Sequence, residues 1–430
     1  MLFSSGFKRL RNRQYIALGF LLLSGAVNYM DRGALAVANI TIRHDLGISL
    51  GGMGLLLSAF LWTYAFSQLP VGALIDRFGP RKLLAIGLVV WSTAQAICGM
   101  VAGLSGFVIA RMFLGVGEAP QFPCGARVVR DWFPVKNRGL ATGVFNCAST
   151  LGSSLAPIIL TFIMLDIGWR WMFIVLGIFG VIVAILWYNL YRNPSESNLT
   201  NDEKSHLIEG DETGVAPRLN FAEWSALFRC RTTWAMILGF FGCVYLTWIY
   251  MTWLPSYLEI QRHMSIRHTG YIASIPYAFG VVGSLLGGWI ADSLVKKGFS
   301  VLNSRKVPIV TSLIGMSLCT VFAALTSSTS MAVAAISVAM FLGYICSANA
   351  WGLASIISPA NTTASLGGIQ NFGGFFGGAL APLVTGFIAQ ITHSFTSALL
   401  LGAGIGLVSA LIYLFLLQRP ITSTDILVKS

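Results

Sequence analysis

Asp31, Arg32, Arg111 and Glu118 stand in stretches otherwise built of apolar side chains. They are the residues of this sequence that could do chemistry. A charge at the centre of a lipid bilayer costs about 2.5–3.5 kcal/mol on insertion scales, so ionisable residues in such stretches are candidates for function. An arginine carries a planar fork that grips a carboxylate with two hydrogen bonds and stays charged at any working pH. A buried arginine lining a cavity therefore selects an anion. An acid in the same setting can carry a proton through oil. Arg111 and Glu118 are seven residues apart, two helical turns less about 20°, and so share a face. Asp31 and Arg32 are neighbours and point about 100° apart. Asn28, Tyr29 and Arg32 share a broad face of the same segment. With 1.5 Å of rise per residue, Asp31 falls about 24 Å along a segment starting near Tyr15, and Arg111 about 6 Å into one starting near Phe107. If those segments run in opposite directions across a core of roughly 30 Å, the two lie at similar depth. The expectation is that Asp31 faces Arg111, that Glu118 sits near the midplane, and that Arg32 faces a cavity.

The elements that must hold these residues are apolar and long. Of 430 residues, 55% are hydrophobic and only 10% charged, against about 25% charged in an ordinary soluble domain. That excludes a soluble enzyme, a disordered chain and a soluble nucleic-acid binder, in spite of a net charge of +12. No Asp, Glu, Lys or Arg occurs in Leu83–Ala110, Gly139–Leu165, Trp171–Tyr191, Thr232–Leu258 or His268–Ala291. The charge-free window Val307–Gln418 is 112 residues long, room for four spans with polar breaks near Thr326–Ser330, Ser358–Thr363 and Thr392–Ser394. Spans near Tyr15–Ala38, Met53–Ile75 and Phe107–Arg127 bring the expected total to twelve. The runs do not alternate in the ten-residue manner of a β-barrel. Twelve spans put both ends on one side. The segments on that side hold 22 of the 28 Lys and Arg residues, which predicts cytoplasmic termini. The basic charge is thus a topology signal, and no nucleic acid is needed as a partner.

The chain also contains itself twice. Gly72-Ala-Leu-Ile-Asp76 recurs as Gly288-Trp-Ile-Ala-Asp292, and NCASTLGSSLAP from Asn146 recurs as NFGGFFGGALAP from Asn371. This predicts an N-terminal six-helix bundle over 1–191, a cytoplasmic linker over 192–231, a C-terminal six-helix bundle over 232–418 and a tail over 419–430. Two repeated bundles with a ligand site between them near the midplane are the physical plan for alternating access. Gly373, Gly377, Gly374, Gly378, Gly283 and Gly287 stand four apart in pairs, a spacing that lets helices approach closely. The seven cysteines have no metal-binding spacing, the five histidines form no cluster, and neither a phosphate loop nor a nucleophile turn occurs. No metal, no cofactor and no enzyme chemistry is expected.

With these residues in view, the chain resembles the major facilitator superfamily. The signature between its second and third spans reads here Gly72-x-x-x-Asp76-Arg77-x-Gly79-Pro80-Arg81-Lys82, with a degenerate copy ending at Asp292. The resemblance implies an all-α membrane protein of twelve transmembrane helices in two pseudo-symmetric bundles. It also implies a gating latch of Gly72, Asp76, Arg77, Gly79, Arg81 and Asp292. Within the superfamily the chain is similar to the anion:cation symporters, which include bacterial hexonate and hexuronate permeases, sialin and vesicular glutamate carriers. Asn28-Tyr-Met-Asp31-Arg32, Arg111 with Gly115-x-Gly117-Glu118-Ala-Pro120, and Gly168-Trp169-Arg170 carry that similarity. It implies protonation at Asp31 and Glu118, and a substrate pocket with Arg32, Tyr29 and Tyr64. The galactonate type has a glutamine one turn after Asn146, where this chain has Ser149, so hexonate and hexuronate both stay open.

A polyol chain needs neutral donors and acceptors. Tyr29, Tyr64, Asn146, Ser149, Asn349, Gln370 and Asn371 could supply them, Trp351 could stack on sugar carbons, and the second-half polar residues could equally serve helix–helix hydrogen bonds. The expected function is a proton-coupled symporter importing a sugar-acid anion, with Asp31, Glu118 and Arg111 coupling the proton. An organic-anion or drug exporter or antiporter is the alternative. Protons, the sugar acid and membrane lipid are the expected partners of a monomer in a bacterial inner membrane.

Overall fold

The computed structural model describes residues 8–207, 209, 221–357, 362–422 and 425, and among them there is no strand. The helices are α1 (Lys8–Val37), α2 (Asn39–Leu46), α3 (Leu50–Cys98), α4 (Leu104–Glu118), α5 (Gln121–Trp132), α6 (Val135–Leu190), α7 (Asn201–Leu207), α8 (Phe221–Ala226), α9 (Arg231–Ser256), α10 (Ile266–Lys296), α11 (Val301–Leu325), α12 (Thr329–Ile357), α13 (Thr363–Thr392) and α14 (Thr396–Leu416). The fold is the all-α membrane architecture expected.

Two of these helices are bent rods. Gly79 in α3 (φ 72°, ψ 159°) and Gly168 in α6 (φ 83°, ψ 160°) adopt a conformation that a side chain would oppose, and each ends one rod and starts the next. Among the described residues nine helices are long and apolar enough to cross a membrane, with α6 counted once. Splitting α6 at Gly168 makes ten. The remaining two rods are α1 and the α4–α5 pair, which pass through Ala119 and Pro120 in right-handed helical geometry. The α4–α5 pair is divided at Ala119 and Pro120 into helices of 15 and 12 residues, each too short to cross alone, and α1 carries Asp31 and Arg32 in its apolar stretch.

The chain divides into two compact units. The first comprises Met1–Ile48 and Ala59–Gly214, the second Ser49–Ser58 and Val215–Ser430. In the first, the half of α6 before Gly168 lies along α1. A Cβ on Gly25 would sit 2.7 Å from that of Ala148, and one on Gly152 2.8 Å from the Cβ of Tyr29. The rod after Gly79 meets α4 at Gly117, where an added Cβ would lie 2.5 Å from the Trp91 nitrogen. Gly117→Val should therefore destabilise the protein by about 1–3 kcal/mol through overpacking. Thermal unfolding in detergent reads this out, and an unchanged Tm would show that the two backbones are not in contact.

In the second unit α13 lies along α9 as α6 lies along α1 in the first. Gly373 and Gly377 give the approach, with added Cβ atoms 2.8 Å from the Ile237 carbonyl and 2.5 Å from that of Phe241. The repeat read from the sequence is thus a repeat of pairing. Ser49–Ser58 belongs here because Ser58 Oγ donates to the Ala379 carbonyl (2.7 Å) and the Gly51 N–H donates to Gln390 Oε1 (2.8 Å).

Candidate functional site

The four ionisable residues lie in the first unit, on α1 and α4, and all are buried: Asp31 and Glu118 at 0% exposure, Arg111 at 2% and Arg32 at 7%. Arg32 Nε donates to Glu118 Oε2 at 2.7 Å. The guanidinium is also boxed by aromatic rings, with its carbon 4.8 Å from the centroids of Tyr29 and Tyr64 and 5.1 Å from that of Phe60. Ring faces are negative, so a cation is held there without a second acid. Arg111 takes the same Phe60 ring at 5.2 Å. One phenyl ring thus serves two guanidinium groups.

Asp31, expected to turn toward Arg111, lies within the fields of Glu118 and Arg111 on α4. It makes no direct ion pair with Arg111, and both of its oxygens lack a protein hydrogen-bond partner. Arg32, expected to line a cavity, reaches from α1 to α4 and pairs with Glu118, a pairing that the sequence reading did not include. Phe60 was missed in the sequence. Its signal was its place four residues before Tyr64, on the same helical face. Gln95 and Trp91 were missed as well, because Leu83–Ala110 was read only for its lack of charge.

Two acids against two arginines leave the cluster neutral when all four are ionised. Arg32 Nη2 is buried without a protein partner, as is Glu118 Oε1. A small anion arriving at Arg32 competes with Glu118 for the same donors.

The sequence profile of the Major Facilitator Superfamily matches residues 21–382. The chain belongs to this superfamily. It is similar to the probable L-galactonate transporter of Escherichia coli (strain K12), with 42% identity covering 96% of this chain and 91% of that protein. It is 33% identical to the D-galactonate transporter of Escherichia coli O6:H1, over 94% of this chain and 95% of the other. Among solved structures, a bacterial homologue of the human lysosomal transporter Spinster aligns with a TM-score of 0.78 at 16% identity, covering 96% of this chain and 98% of that one. A D-xylose–proton symporter aligns with a TM-score of 0.72 at 15% identity, covering 93% and 97%. These two share the fold. The protein is thus an integral membrane transporter and not an enzyme.

The transporter's signature segment surrounds the Gly79 bend. Arg81 donates to the Tyr188 carbonyl (2.7 Å from Nη2) and pairs with Glu196 (2.8 Å), while Arg77 lies over Phe78 at 5.3 Å. Gly72 has open space around it. The Asp76 side chain lies outside the described residues. In the second unit Asp292 meets Arg305 at 3.4 Å. Burial pushes the Glu196 carboxyl up, but the Arg81 guanidinium and the Asn193 N–H outweigh it and hold the group below the usual glutamate range. Its contribution to stability is therefore full above that range and is lost as pH falls through the lowered value. The Tm gap between the parent and Glu196→Gln should be present near neutrality and close below about pH 4. A gap independent of pH would remove the charge from the interaction.

The remaining candidates are scattered in environment. In the first unit Tyr29 is half-buried, edge-on to Phe122, and Tyr64 is buried. Asn146 is exposed, and Ser149 Oγ donates to its carbonyl at 2.7 Å. In the second unit Asn349 is fully buried and donates to the Gly287 and Ile345 carbonyls (3.1 and 2.9 Å). Gln370 Nε2 donates to the Ala350 carbonyl at 3.0 Å. The bonds to the Gly287 and Ala350 carbonyls tie helices together, and that to Ile345 lies within α12. Asn371 is half-buried, and Trp351 is 53% exposed with its ring edge-on to Phe240.

Proposed function

We propose that this transporter is a proton-coupled symporter that imports a sugar-acid anion, a hexonate such as galactonate or a hexuronate, by alternating access in a bacterial inner membrane, with both termini cytoplasmic. The observation that carries the reading is the buried Arg32–Glu118 ion pair in its aromatic box. A substrate carboxylate needs what Glu118 already holds. Bringing a monoanion into a neutral cluster leaves an uncompensated charge in a medium of low dielectric, which is costly. Protonating Glu118 frees the Arg32 donors and restores neutrality together. Binding of the anion and uptake of a proton are then one event. Asp31 and Arg111 form a second acid and base nearby that can hold a further proton. Tyr29 and Tyr64 supply hydroxyls to a polyol. Asn146, Ser149, Asn349, Gln370, Asn371 and Trp351 are the further candidates for contact with the sugar, and Gly72, Asp76, Arg77, Gly79, Arg81 and Asp292 for the gate. The galactonate names of the relatives at 42% and 33% identity support the substrate class.

The test is uptake into proteoliposomes. An inward proton gradient should drive galactonate or a hexuronate above its external concentration, and dissipating the gradient should return it to equilibrium. Uptake that stops at equilibrium with the gradient in place would overturn the coupling. Failure of every sugar acid to bind would overturn the substrate class.

A further inference from the structure

The rod of α3 after Gly79 carries a stripe that the coupling just described does not use. Trp91, Gln95 and Cys98 follow at i, i+4 and i+7, and so lie on one face. All three are at 0% exposure. Both ends of the stripe meet the ionisable cluster: the Trp91 indole lies beside the Asp31 carboxylate, and Cys98 lies within the fields of Arg111 and Asp31. The Trp91 backbone also abuts α4 at Gly117. Gln95 stands between them on the same face of the rod.

Neither the oxygen nor the nitrogen of the Gln95 amide has a protein hydrogen-bond partner. The same holds for both Asp31 oxygens, for Trp91 Nε1 and for Arg111 Nε and Nη1. Buried polar atoms are satisfied in the great majority of cases, by protein or by ordered water. This group mixes donors (Trp91, Arg111, the Gln95 nitrogen) with acceptors (Asp31, the Gln95 oxygen). Water, which gives two hydrogen bonds and takes two, is the molecule that can answer both kinds at once, and it requires two to four polar partners of this sort.

We propose that Gln95 is a positioning residue that holds ordered water between Asp31 and Arg111, and that this water conducts the proton exchanged at Asp31. The proposal rests on the proton-coupled reading. The titratable and charged groups that bear on Asp31 are Glu118 and Arg111 from α4 and Cys98 from α3. The part of α6 along α1 carries no charge between Gly139 and Leu165. From α5 comes the neutral Gln121, which donates to Ser24. An amide without charge of its own can turn to serve either protonation state of Asp31, as a donor to the carboxylate side or an acceptor from the acid, with water completing the link to Arg111.

The experiment is the pH profile of galactonate uptake into proteoliposomes for the parent, Gln95→Met and Gln95→Asn. Methionine keeps the length and removes the amide. The midpoint of its profile should move by at least about one pH unit, a tenfold change in the proton affinity of the coupled site. Asparagine should restore part of the shift. Substrate counterflow, which needs no net proton movement, identifies folded and inserted protein. A midpoint unchanged in Gln95→Met overturns the proposal. A parent with no pH-driven uptake at all sinks the coupled reading instead, and leaves the water to be decided by a second measurement. That measurement, which also serves if Gln95→Met does not fold, is hydroxyl-radical footprinting of the parent protein, since radicals formed from bound water mark the side chains beside it. Trp91 should be oxidised faster than the equally buried Trp187, and Cys98 faster than the equally buried Cys124. Equal rates within each pair would overturn the presence of water.

Discussion

Glu118→Gln should abolish accumulation of sugar acid against its gradient while the protein still binds the anion. The glutamine keeps the shape and can still accept from Arg32, but it cannot cycle between charged and neutral forms. In the parent, one pH unit across the membrane supplies about 1.4 kcal/mol per proton, worth roughly tenfold accumulation. The variant should show none of this at any gradient. It imitates the protonated acid permanently, so its weaker hold on Arg32 does not vary with pH and binding in detergent should no longer tighten at low pH. The measurement is steady-state uptake with and without an imposed gradient, paired with thermal-shift binding across pH. Uphill uptake that survives in the variant would take Glu118 out of the coupling step.

Arg32→Lys should cost most of the affinity. An ammonium is a point charge with three rotating donors and cannot hold a carboxylate with two parallel bonds. It also fits poorly among three rings that stack on a flat guanidinium. Losing one charge-assisted hydrogen bond at about 1.5–3 kcal/mol corresponds to roughly tenfold to a hundredfold weaker binding. Arg32→Met tests the same pair from the side of folding. It strands Glu118 without its partner, and breaking a buried pair in this way typically destabilises by about 3–5 kcal/mol. The methionine variant should therefore be rescued in Tm by low pH, where Glu118 can become neutral, more than the lysine variant. Unaltered galactonate affinity in Arg32→Lys would remove Arg32 from the pocket.

Much of the fold was legible because lipid leaves few choices. The window Val307–Gln418 had to be cut into spans, and its polar breaks fall where α11, α12, α13 and α14 end and begin. The repeat announced the matched pairing of α6 with α1 and of α13 with α9. The site was legible in membership and less so in wiring. Charge in oil singled out Asp31, Arg32, Arg111 and Glu118, and depth arithmetic placed Asp31 near the level of Arg111. Rise per residue says nothing of how far a side chain reaches, and so the pairing came out differently: Arg32 crosses to Glu118. Phe60 and Gln95 could not stand out, since one phenylalanine among 28, or one neutral amide in an apolar run, has no pattern until its neighbours are known. Asn349 shows why the sequence left two readings open for a buried polar residue: its amide nitrogen donates to the Gly287 and Ile345 carbonyls, and spacing alone does not separate such bonding from contact with cargo.

The two glycines flanking Val116 bear on anyone who would retune this carrier. Gly115 is pressed against the Phe60 carbonyl and Gly117 against the Trp91 backbone, so the α4 rod is dovetailed between both arms of α3. Such a joint leaves no slack to shift the acid one residue up or down for a longer or shorter cargo. Altered preference should accordingly arise in laboratory selections by exchange of side chains around the guanidinium, with the dovetail itself left untouched.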